Sequence, residues 1–455
     1  MSLPRYSGYK DSGVEWIGCI PAHWTLPKLK HFTRFTGGGT PNREERMFWG
    51  GEIPWVSPKD MKSELIHDSE ERITDAGLAN SSTTLVAPNK VLLVVRSGIL
   101  KHTIPVAINA VPVSLNQDMK ALEFKSSTCN SGFFLRWVQG LNDSLLLAWA
   151  KQGATVESIE HSYLSDTVVP LPPFEEQTAI AAFLDRETAK IDVLIGEQEK
   201  LIALLAEKRQ ATISHAVTRG LNPNAPMKSS NVAWLGEIPA HWTVCAVRRV
   251  VERIEQGWSP ECFSRAAEQG EWGVLKAGCV NGGIFRSSEN KALPDTLEPD
   301  ANIEVRDGDL LMSRASGSPA LVGSVAYVSE PPSRLMLSDK IFRLHLSCDV
   351  DSRFFAIVFS ARYMRLQIEQ AISGAEGLAN NLPQSSLKGF TIAIPPKTEQ
   401  VELVAMVEAE MEKLISLAGE AERAIALLKE HRSALITAAV TGQIDVRGLV
   451  KDEAA

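Results

Sequence analysis

The chain has 455 residues, of which 44% are apolar and 22% are charged. This length and composition are typical of a globular protein with two or three domains, each of which buries its own core. The apolar runs are far shorter than the roughly 20 residues of a membrane-spanning helix, and the chain does not open on a basic-then-apolar signal pattern. The composition therefore argues against a membrane protein and predicts a cytoplasmic one.

Cysteine and histidine usage argues against a metal site or a disulfide framework. The six cysteines are scattered without a C-x-x-C pair, and the nine histidines do not cluster at ligand spacing. The sequence also contains neither a Walker motif nor a dinucleotide-binding G-x-G-x-x-G motif. We therefore expect no metal, no cofactor and no catalytic residue set in this chain.

The net charge of −8 is unevenly distributed. Residues 172–215 carry five basic and eight acidic side chains, and residues 397–445 carry five and nine. Residues 28–150 carry fourteen and twelve, whereas residues 245–373 carry fifteen and seventeen, with twelve of the fifteen being Arg. DNA phosphates are neutralised by Lys and Arg, and Arg also suits guanine edges. Any DNA contact is therefore expected outside the two acidic stretches. Within residues 245–373, which carry more acidic than basic side chains, the basic side chains would have to lie together on one face to bind DNA.

The first predicted element is a short opening motif that occurs twice. Residues 20–24 read I-P-A-H-W, and residues 238–242 repeat the same five letters at a shift of 218. The register continues at a shift of 219, where Gly98 corresponds to Gly317, and it drifts to 223 at the second of two Pro-Pro pairs. Self-similarity over half the chain predicts a duplicated domain with a few loop insertions.

Each opening motif leads into about 130 residues of mixed character. Short β-type runs occur at residues 53–56 and 91–95 in the first half, and at residues 273–275, 310–312 and 341–346 in the second. Gly and Pro interrupt these runs throughout. The pattern predicts one irregular α/β head in each half.

A Pro-Pro pair and a long helical pattern follow each head, at residues 175–217 and 398–441. At a rise of 1.5 Å per residue each helix would be roughly 60 Å long, which is more than one head can cover. We therefore expect the two helices to pair as a coiled coil. Apolar or small side chains at three- and four-residue steps form the predicted seam, namely Leu184, Ile191, Leu194, Ile202, Leu205, Thr212, Val407, Met411, Leu414, Ile425, Leu428 and Leu435.

Two motifs resemble catalytic signatures but lack their key residues. Residues 171–174 read L-P-P-F, similar to the [D/N]-P-P-[F/Y/W] motif of amino-methyltransferases, but Leu171 replaces the residue that binds the target amine. The second copy, I-P-P-K, also lacks the aromatic side chain, and both are interpreted as helix starts. A P-D…E-x-R pattern at residues 294–306 resembles a nuclease triad without its Lys. None of these motifs predicts catalysis.

The layout resembles the specificity subunit of Type I restriction-modification systems over nearly the whole chain. Three duplicated motifs carry the resemblance. They are the W-x-G-x-I-P-x-H-W opening at residues 16–24 and 234–242, the G-x-[T/S]-P turn at 38–41 and 257–260, and the P-P-x-x-E-Q helix start at 172–177 and 395–400.

The resemblance implies an α+β fold with two irregular α/β target-recognition domains related by pseudo-two-fold symmetry. Two long antiparallel helices forming a coiled coil would separate these domains. The implied segments are an N-terminal segment with the first opening motif (1–27), target-recognition domain 1 (28–152), a central conserved region with the first long helix (153–221), a linker with the second opening motif (222–244), target-recognition domain 2 (245–373), and a C-terminal conserved region with the second long helix (374–455).

The resemblance also implies a non-catalytic DNA-recognition subunit. Each recognition domain would read one half of a bipartite, asymmetric site in double-stranded DNA. The helices would act as a spacer and as the dock for methyltransferase subunits, two per chain. Partner subunits would carry the S-adenosylmethionine chemistry, and restriction subunits would use ATP and Mg²⁺ for translocation and cleavage.

Candidate contact residues follow from position and chemistry. Polar and basic side chains near turns after predicted strands are suited to phosphates and base edges. These candidates for DNA binding are Lys59, Lys62, Arg96, Lys101, His102, Asn116, Gln117, Lys276, Arg286, Arg314 and Lys340. On the acidic helices, Glu197 and Glu420 lie outside the predicted seam and are the candidate residues for partner docking.

Two alternative functions belong to other classes. A solitary adenine methyltransferase or nuclease would need a cofactor or catalytic core that the sequence does not display. A scaffold could use the long helices for homodimerisation without any DNA role, and salt-sensitive retention of the chain by DNA would argue against it.

Overall fold

The structure is a computed structural model that describes residues 3–125, 127–151, 153, 155–372 and 380–449. The chain divides into two compact units, unit 1 (Met1–Glu199 and Arg423–Ala455) and unit 2 (Lys200–Glu422). The predicted domain boundaries after residues 152 and 373 fall on residues outside the described ranges. Within those ranges, none of the helices combines the length and apolar character that crossing a bilayer requires.

Unit 1 contains a five-stranded sheet, a smaller three-stranded sheet and short helices. The five-stranded sheet has the order β3-β10-β7-β8-β5, and the smaller sheet has the order β6-β4-β9. The strands are β1 (Tyr9–Asp11), β2 (Cys19–Pro21), β3 (Thr33–Gly37), β4 (Trp49–Val56), β5 (Leu65–Ile66), β6 (Arg72–Ile73), β7 (Val91–Val94), β8 (Val106–Asn109), β9 (Ser114–Leu115) and β10 (Met119–Phe124). The helices are α1 (Leu29–Phe32), α2 (Asp75–Ala79), α3 (Ser131–Gly140), α4 (Asn142–Trp149), α5 (His161–Asp166) and the first part of α6 (Phe174–Arg219).

Unit 2 repeats this plan with its own core. A four-stranded sheet has the order β14-β21-β17-β19, and a three-stranded sheet has the order β16-β15-β20. The strands are β11 (Met227–Ser229), β12 (Glu237–Pro239), β13 (Thr243–Ala246), β14 (Val251–Gln256), β15 (Gly273–Leu275), β16 (Asn290–Ala292), β17 (Leu310–Ser313), β18 (Ala315–Ser316), β19 (Val325–Tyr327), β20 (Leu335–Met336), β21 (Ile341–Leu346), β22 (Asn380–Asn381) and β23 (Thr391–Ile394). The helices are α7 (Ser352–Ser360), α8 (Arg362–Ala371), α9 (Gln384–Gly389) and α10 (Lys397–Val440), of which α10 continues into unit 1.

The alternating and apolar runs form strands because they fill the cores of the two heads. Val91 to Val94 are completely buried in the five-stranded sheet of unit 1. In unit 2, Leu310 to Ser313 and Ile341 to Leu344 are buried in the four-stranded sheet. The predicted mixed α+β class with two heads and two long helices is confirmed.

The two long helices run antiparallel. In unit 1, Arg432 of α10 donates to Asp192 of α6 (3.0 Å), and in unit 2, Lys208 of α6 lies 3.3 Å from Glu410 of α10, so later residues of one helix meet earlier residues of the other. Most predicted seam residues are buried or half-buried, but Leu194 is 45% exposed. Its prediction as a seam residue is wrong because the half-buried Ile195 is the apolar residue of this turn that packs against the core.

In each unit, the W-x-G-x-I-P-x-H-W opening motif contacts the P-P-x-x-E-Q motif at the start of a long helix. In unit 1, the carboxylate of Glu176 accepts hydrogen bonds from Tyr6 Oη (2.6 Å) and Trp24 Nε1 (2.9 Å). His23 Nε2 lies 2.8 Å from the other oxygen of Glu176. Burial and the bond to Glu176 raise the pKa of Tyr6, which keeps its hydroxyl a neutral donor. Glu176 therefore fastens the opening motif to α6.

The next residue, Gln177, fastens the head to the same helix. Its side chain is completely buried. Its Oε1 accepts from the Asn130 backbone N–H (2.7 Å), and its Nε2 donates to the carbonyls of Thr128 (3.0 Å) and Pro172 (2.9 Å). Asn130 is the N-cap of α3, so this one amide sets the position of that helix against α6.

Unit 2 contains the same clamp. Glu399 lies 2.7 Å from His241 Nε2 and accepts from Trp242 Nε1 (3.2 Å). Gln400 accepts from the backbone N–H of Asp351 (2.8 Å), the N-cap of α7, and donates to two backbone carbonyls. The repeated I-P-A-H-W and P-P-x-x-E-Q motifs are thus two sides of one structural contact.

Candidate nucleic-acid interface

In unit 1, the duplicated glycine turn packs against the loop that joins β9 to β10. A Cβ added to Gly38 would lie 1.9 Å from the Asn116 carbonyl oxygen, so only glycine fits there. The Thr40 hydroxyl then hydrogen-bonds the Gln117 side chain. The indole of Trp55, which is buried, donates to the Gly39 carbonyl (2.9 Å). Turn and loop therefore form one fixed surface feature.

The equivalent turn of unit 2 has the same geometry with different side chains. A Cβ on Gly257 would lie 2.0 Å from the Leu337 carbonyl oxygen. The Ser259 hydroxyl hydrogen-bonds Asp339, whose backbone N–H donates back to Ser259 (3.1 Å). Burial raises the pKa of Asp339, but hydrogen bonds from Ser259 and Lys340 outweigh it and leave the pKa below its ordinary value. This surface therefore carries a fixed anion where unit 1 carries an amide.

Three of the candidate DNA-binding residues of unit 1 lie at its turn. Gln117 is exposed and bonded to Thr40, whereas Asn116 is buried and its side chain accepts from the Asp118 N–H (2.9 Å). Arg96 is exposed, and its backbone N–H donates to the Asp118 carbonyl (3.3 Å). The structure thus brings Arg96, Asn116 and Gln117 to one loop, where Asn116 shapes the backbone.

Two candidates of unit 2 lie at the corresponding place. The Arg314 backbone N–H donates to the Lys340 carbonyl (2.8 Å), and its guanidinium Nε donates to Asn381 Oδ1 (3.0 Å). Lys340 is exposed and lies 3.3 Å from the Asp339 carboxylate. Arg314 is half-buried, with its guanidinium carbon 5.7 Å from the centre of the Phe342 ring. This is a charged platform held in place by several contacts.

The remaining candidates lie on other loops. Lys59 and Lys62 are exposed beside the 3-10 turn Pro58–Asp60, and Lys62 pairs with Glu70 (3.1 Å). Lys101 and His102 are exposed at the end of the 3-10 turn Gly98–Lys101.

In unit 2, Lys276 and Arg286 flank the 3-10 segment Ala277–Gly283. Lys276 lies 4.0 Å from Glu289, and Arg286 donates to the Asn281 carbonyl (2.7 Å). A role in DNA contact stays a prediction for all eleven candidates.

Sequence reasoning missed the side chains that organise these surfaces. Thr40, Ser259 and Asp339 were not among the candidates, although Thr40 and Ser259 belong to the duplicated G-x-[T/S]-P turn. The duplication of a hydroxyl residue at this turn was the available signal. Asp339 and Asn381 carried no signal, since their role depends on contacts between distant segments.

The two predicted docking residues lie on the surface of the long helices. Glu197 of α6 is exposed, and Val193 and Leu194 beside it are 61% and 45% exposed. Glu420 of α10 is also exposed, and Leu417, one turn before it, is 47% exposed. Each glutamate thus borders apolar side chains that the chain itself leaves uncovered, which is typical of interaction surfaces.

Comparison with known families finds similarity in the first part of the chain. Residues 21–202 match the family model of the Type I restriction modification DNA specificity domain. The specificity subunit of the Type I restriction enzyme EcoR124I/EcoR124II from Escherichia coli is 35% identical over 179 residues, which are 39% of this chain and 42% of that protein. For the EcoEI specificity subunit of Escherichia coli the values are 33% identity, 38% and 29%. The chain thus matches less than half the length of these two relatives.

Other relatives match nearly end to end. The MjaIX specificity subunit of Methanocaldococcus jannaschii is 23% identical over 95% of this chain and 96% of its own length. A chain from a structure of the type I R-M system superimposes with a TM-score of 0.65 at 17% identity, covering 92% of this chain and 98% of that one. The HsdS subunit of Thermoanaerobacter tengcongensis gives a TM-score of 0.52 at 15% identity over 93% and 98%. These two structures share the fold.

Proposed function

We propose that the chain is a specificity subunit of the Type I restriction-modification family and that it recognises a bipartite, asymmetric site in double-stranded DNA. The observation that supports this most strongly is the duplicated turn. Each unit fixes a glycine turn against a loop that joins strands of two different sheets, by a backbone contact that excludes any Cβ. Preorganised loops on a rigid scaffold are suited to sequence readout.

The two recognition surfaces are predicted to read different half-sites. Unit 1 displays an amide beside an exposed Arg, whereas unit 2 displays a carboxylate beside Lys340 and Arg314. Amides suit adenine, carboxylates accept from the cytosine amino group, and Arg suits guanine. Chemically different surfaces at equivalent positions support an asymmetric target.

We further propose that the chain acts through partners. The uncovered apolar side chains near Glu197 and Glu420 would bind methyltransferase subunits, two per chain, and restriction subunits would join this complex. The long helices would also act as the spacer. The chain itself would contribute recognition without catalysis, and the S-adenosylmethionine, ATP and Mg²⁺ chemistry would belong to the partners.

Exchange of one head tests the proposal. Residues 28–150 are replaced by the equivalent region of a related subunit, and methylated adenines are mapped after co-expression with the methyltransferase. We expect one half of the methylated sequence to change while the other stays the same. A change in both halves would contradict separate reading. Methyl transfer by the purified chain alone would contradict the non-catalytic role.

A further inference from the structure

The duplicated units differ at one site between the head and the long helices, where a helix arginine faces the head. This site, called the socket below, is formed around Arg432 in unit 1 and around Arg209 in unit 2. In unit 1, this socket is filled by the side chain of Glu64, which precedes β5. Its Oε1 accepts from Arg136 (2.8 Å), Gln139 (2.8 Å) and Arg432 (3.3 Å). Arg432 also donates to Asp192 (3.0 Å). A carboxylate from the head thus satisfies the arginine of the helix.

Unit 2 keeps the arginine and loses its acidic partners. At the repeat shift of 223, Arg432 corresponds to Arg209, and Asp192 corresponds to Ile415. At the shift of 219, Glu64 corresponds to Gly283, which has a φ of +77°. Arg209 donates to the Gly282 carbonyl (3.2 Å), and it has no carboxylate partner among the described residues. The carboxylate side chain that fills the socket in unit 1 is therefore missing in unit 2.

An open cavity lies at the position in unit 2 that corresponds to the Glu64 side chain. It has a volume of about 600 Å³ and is lined by Arg209 together with mostly apolar side chains, including Ile213, Ile357, Met411 and Ile415. Ile415 is 50% exposed at its rim, as is Ile284 at 44%. The acidic residues at the rim are Glu408, which pairs with Arg353 at 3.6 Å, and Glu412.

A second cavity of about 470 Å³ adjoins Arg209 and is distinctly basic. Arg362 and Arg365 line it, and no acidic residue is among its lining residues within the described part of the chain. The Nη2 atom of Arg365 is buried without a hydrogen-bond acceptor among those residues, and Glu369 lies 3.4 Å from its Nε. Three arginines and no carboxylate among these lining residues give this side of the groove a positive charge, which favours an incoming anion.

We propose that these two cavities form a docking groove for an acidic segment of a partner protein. A carboxylate of the segment would bind Arg209, as Glu64 binds Arg432 in unit 1, and its apolar neighbours would fill the 600 Å³ cavity. Charge complementarity and the protein carboxylate of the equivalent socket support this occupant. The inference rests on the proposed function, because the partner meant is the methyltransferase subunit.

The two docking positions on the chain would consequently be unequal. The unit 1 socket is closed by its own Glu64, so a partner bound there would not use it. Arg209→Ala is expected to weaken one of two methyltransferase binding events about 30-fold, near the lower end for truncating one half of a buried charge pair. Native mass spectrometry of titrated complexes would show accumulation of chains that carry one methyltransferase.

Ile415→Asp provides an independent variant that mimics unit 1. The new carboxylate would occupy the position of Asp192 and satisfy Arg209 within the chain, so the same binding event should weaken. Ile415 is half-exposed, and the fold should tolerate the change. Val401→Asp is the matched control, because Val401 is 53% exposed on the same helix, lines neither cavity and lies about five turns from Glu420.

The outcomes separate the inference from the proposed function. If the unmodified chain binds no methyltransferase, both are overturned. If it binds two subunits, and Arg209→Ala and Ile415→Asp bind them as tightly as the unmodified chain or no more weakly than Val401→Asp, the groove proposal alone is overturned. Loss of DNA affinity by Arg209→Ala with unchanged subunit binding would assign the groove to DNA instead. A rise in melting temperature of the isolated chain with millimolar glutamate would assign it to a small carboxylate.

Discussion

Replacement of Gln177 by Ala should destabilise unit 1 selectively. The side chain is completely buried and makes three hydrogen bonds to backbone groups, at 2.7, 3.0 and 2.9 Å. Each backbone group left without a partner costs about 1–3 kcal/mol. Two of the three contacts are only partly buried, so water can replace part of the loss. We expect a loss of about 3 kcal/mol in the free energy of unfolding of unit 1.

Hydrogen–deuterium exchange followed by mass spectrometry can measure this loss in each unit. Gln177→Ala should accelerate exchange in α3, whose N-cap Asn130 it releases, and leave α7 unchanged. Gln400→Ala should do the reverse, since Gln400 holds the N-cap of α7, and each variant is the control for the other. A loss below about 1 kcal/mol, or equal effects on α3 and α7, would refute the assignment of these amides as clamps.

Two further predictions concern the recognition and docking surfaces. Gly38→Ala should reduce DNA affinity and alter the readout of one half-site, because its Cβ would overlap the Asn116 carbonyl. Gly37→Ala is the control and should bind normally, because a Cβ at Gly37 would lie in open space. A fluorescence-anisotropy titration with half-site variants compares the two, and equal binding would contradict the model of a fixed turn. Charge reversal at Glu197 or Glu420 should weaken co-purification of the methyltransferase more than it lowers the melting temperature, because both side chains are exposed, and equal losses would identify them as folding residues instead.

The duplicated plan was visible in the sequence because it rests on local signals. Predicted strands 273–275 and 341–346 have the observed bounds, and the predicted helices agree with α6 and α10 within two residues at each end. Pro-Pro before each helix and a positive-φ glycine after it, Gly220 and Gly442, punctuate the chain. Such signals depend on neighbours within a few residues, which one sequence displays directly.

The sites were less accessible because they depend on distant contacts. Glu176 meets Trp24 across 152 residues, and Gly38 meets Asn116 through a close backbone approach that composition does not reveal. The seam residue Leu194 was mispredicted for a related reason. A three-residue step turns a helix by about 300°, so the rim of the apolar stripe depends on which neighbour packs there. The sequence displays which residue types are present, whereas the contacts that these residues make with distant segments are visible only in the folded structure.

The ion cluster around Glu64 gives a prediction whose sign follows from its pKa. Burial raises the pKa of Glu64, but hydrogen bonds from Gln139 and Arg136 and the charge of Arg136 outweigh it and hold the pKa below its ordinary value of 4.5. A carboxylate with a lowered pKa stabilises the folded state above the unfolded pKa, and this contribution is lost as the pH falls through the folded pKa. Glu64→Gln should therefore be less stable than the unmodified chain above about pH 5.5, and the difference should shrink below pH 4.5. Urea unfolding at several pH values measures the difference, with Glu70→Gln on the exposed surface as the control. A difference that stays constant or widens on acidification would show that Glu64 is not ionised in the cluster.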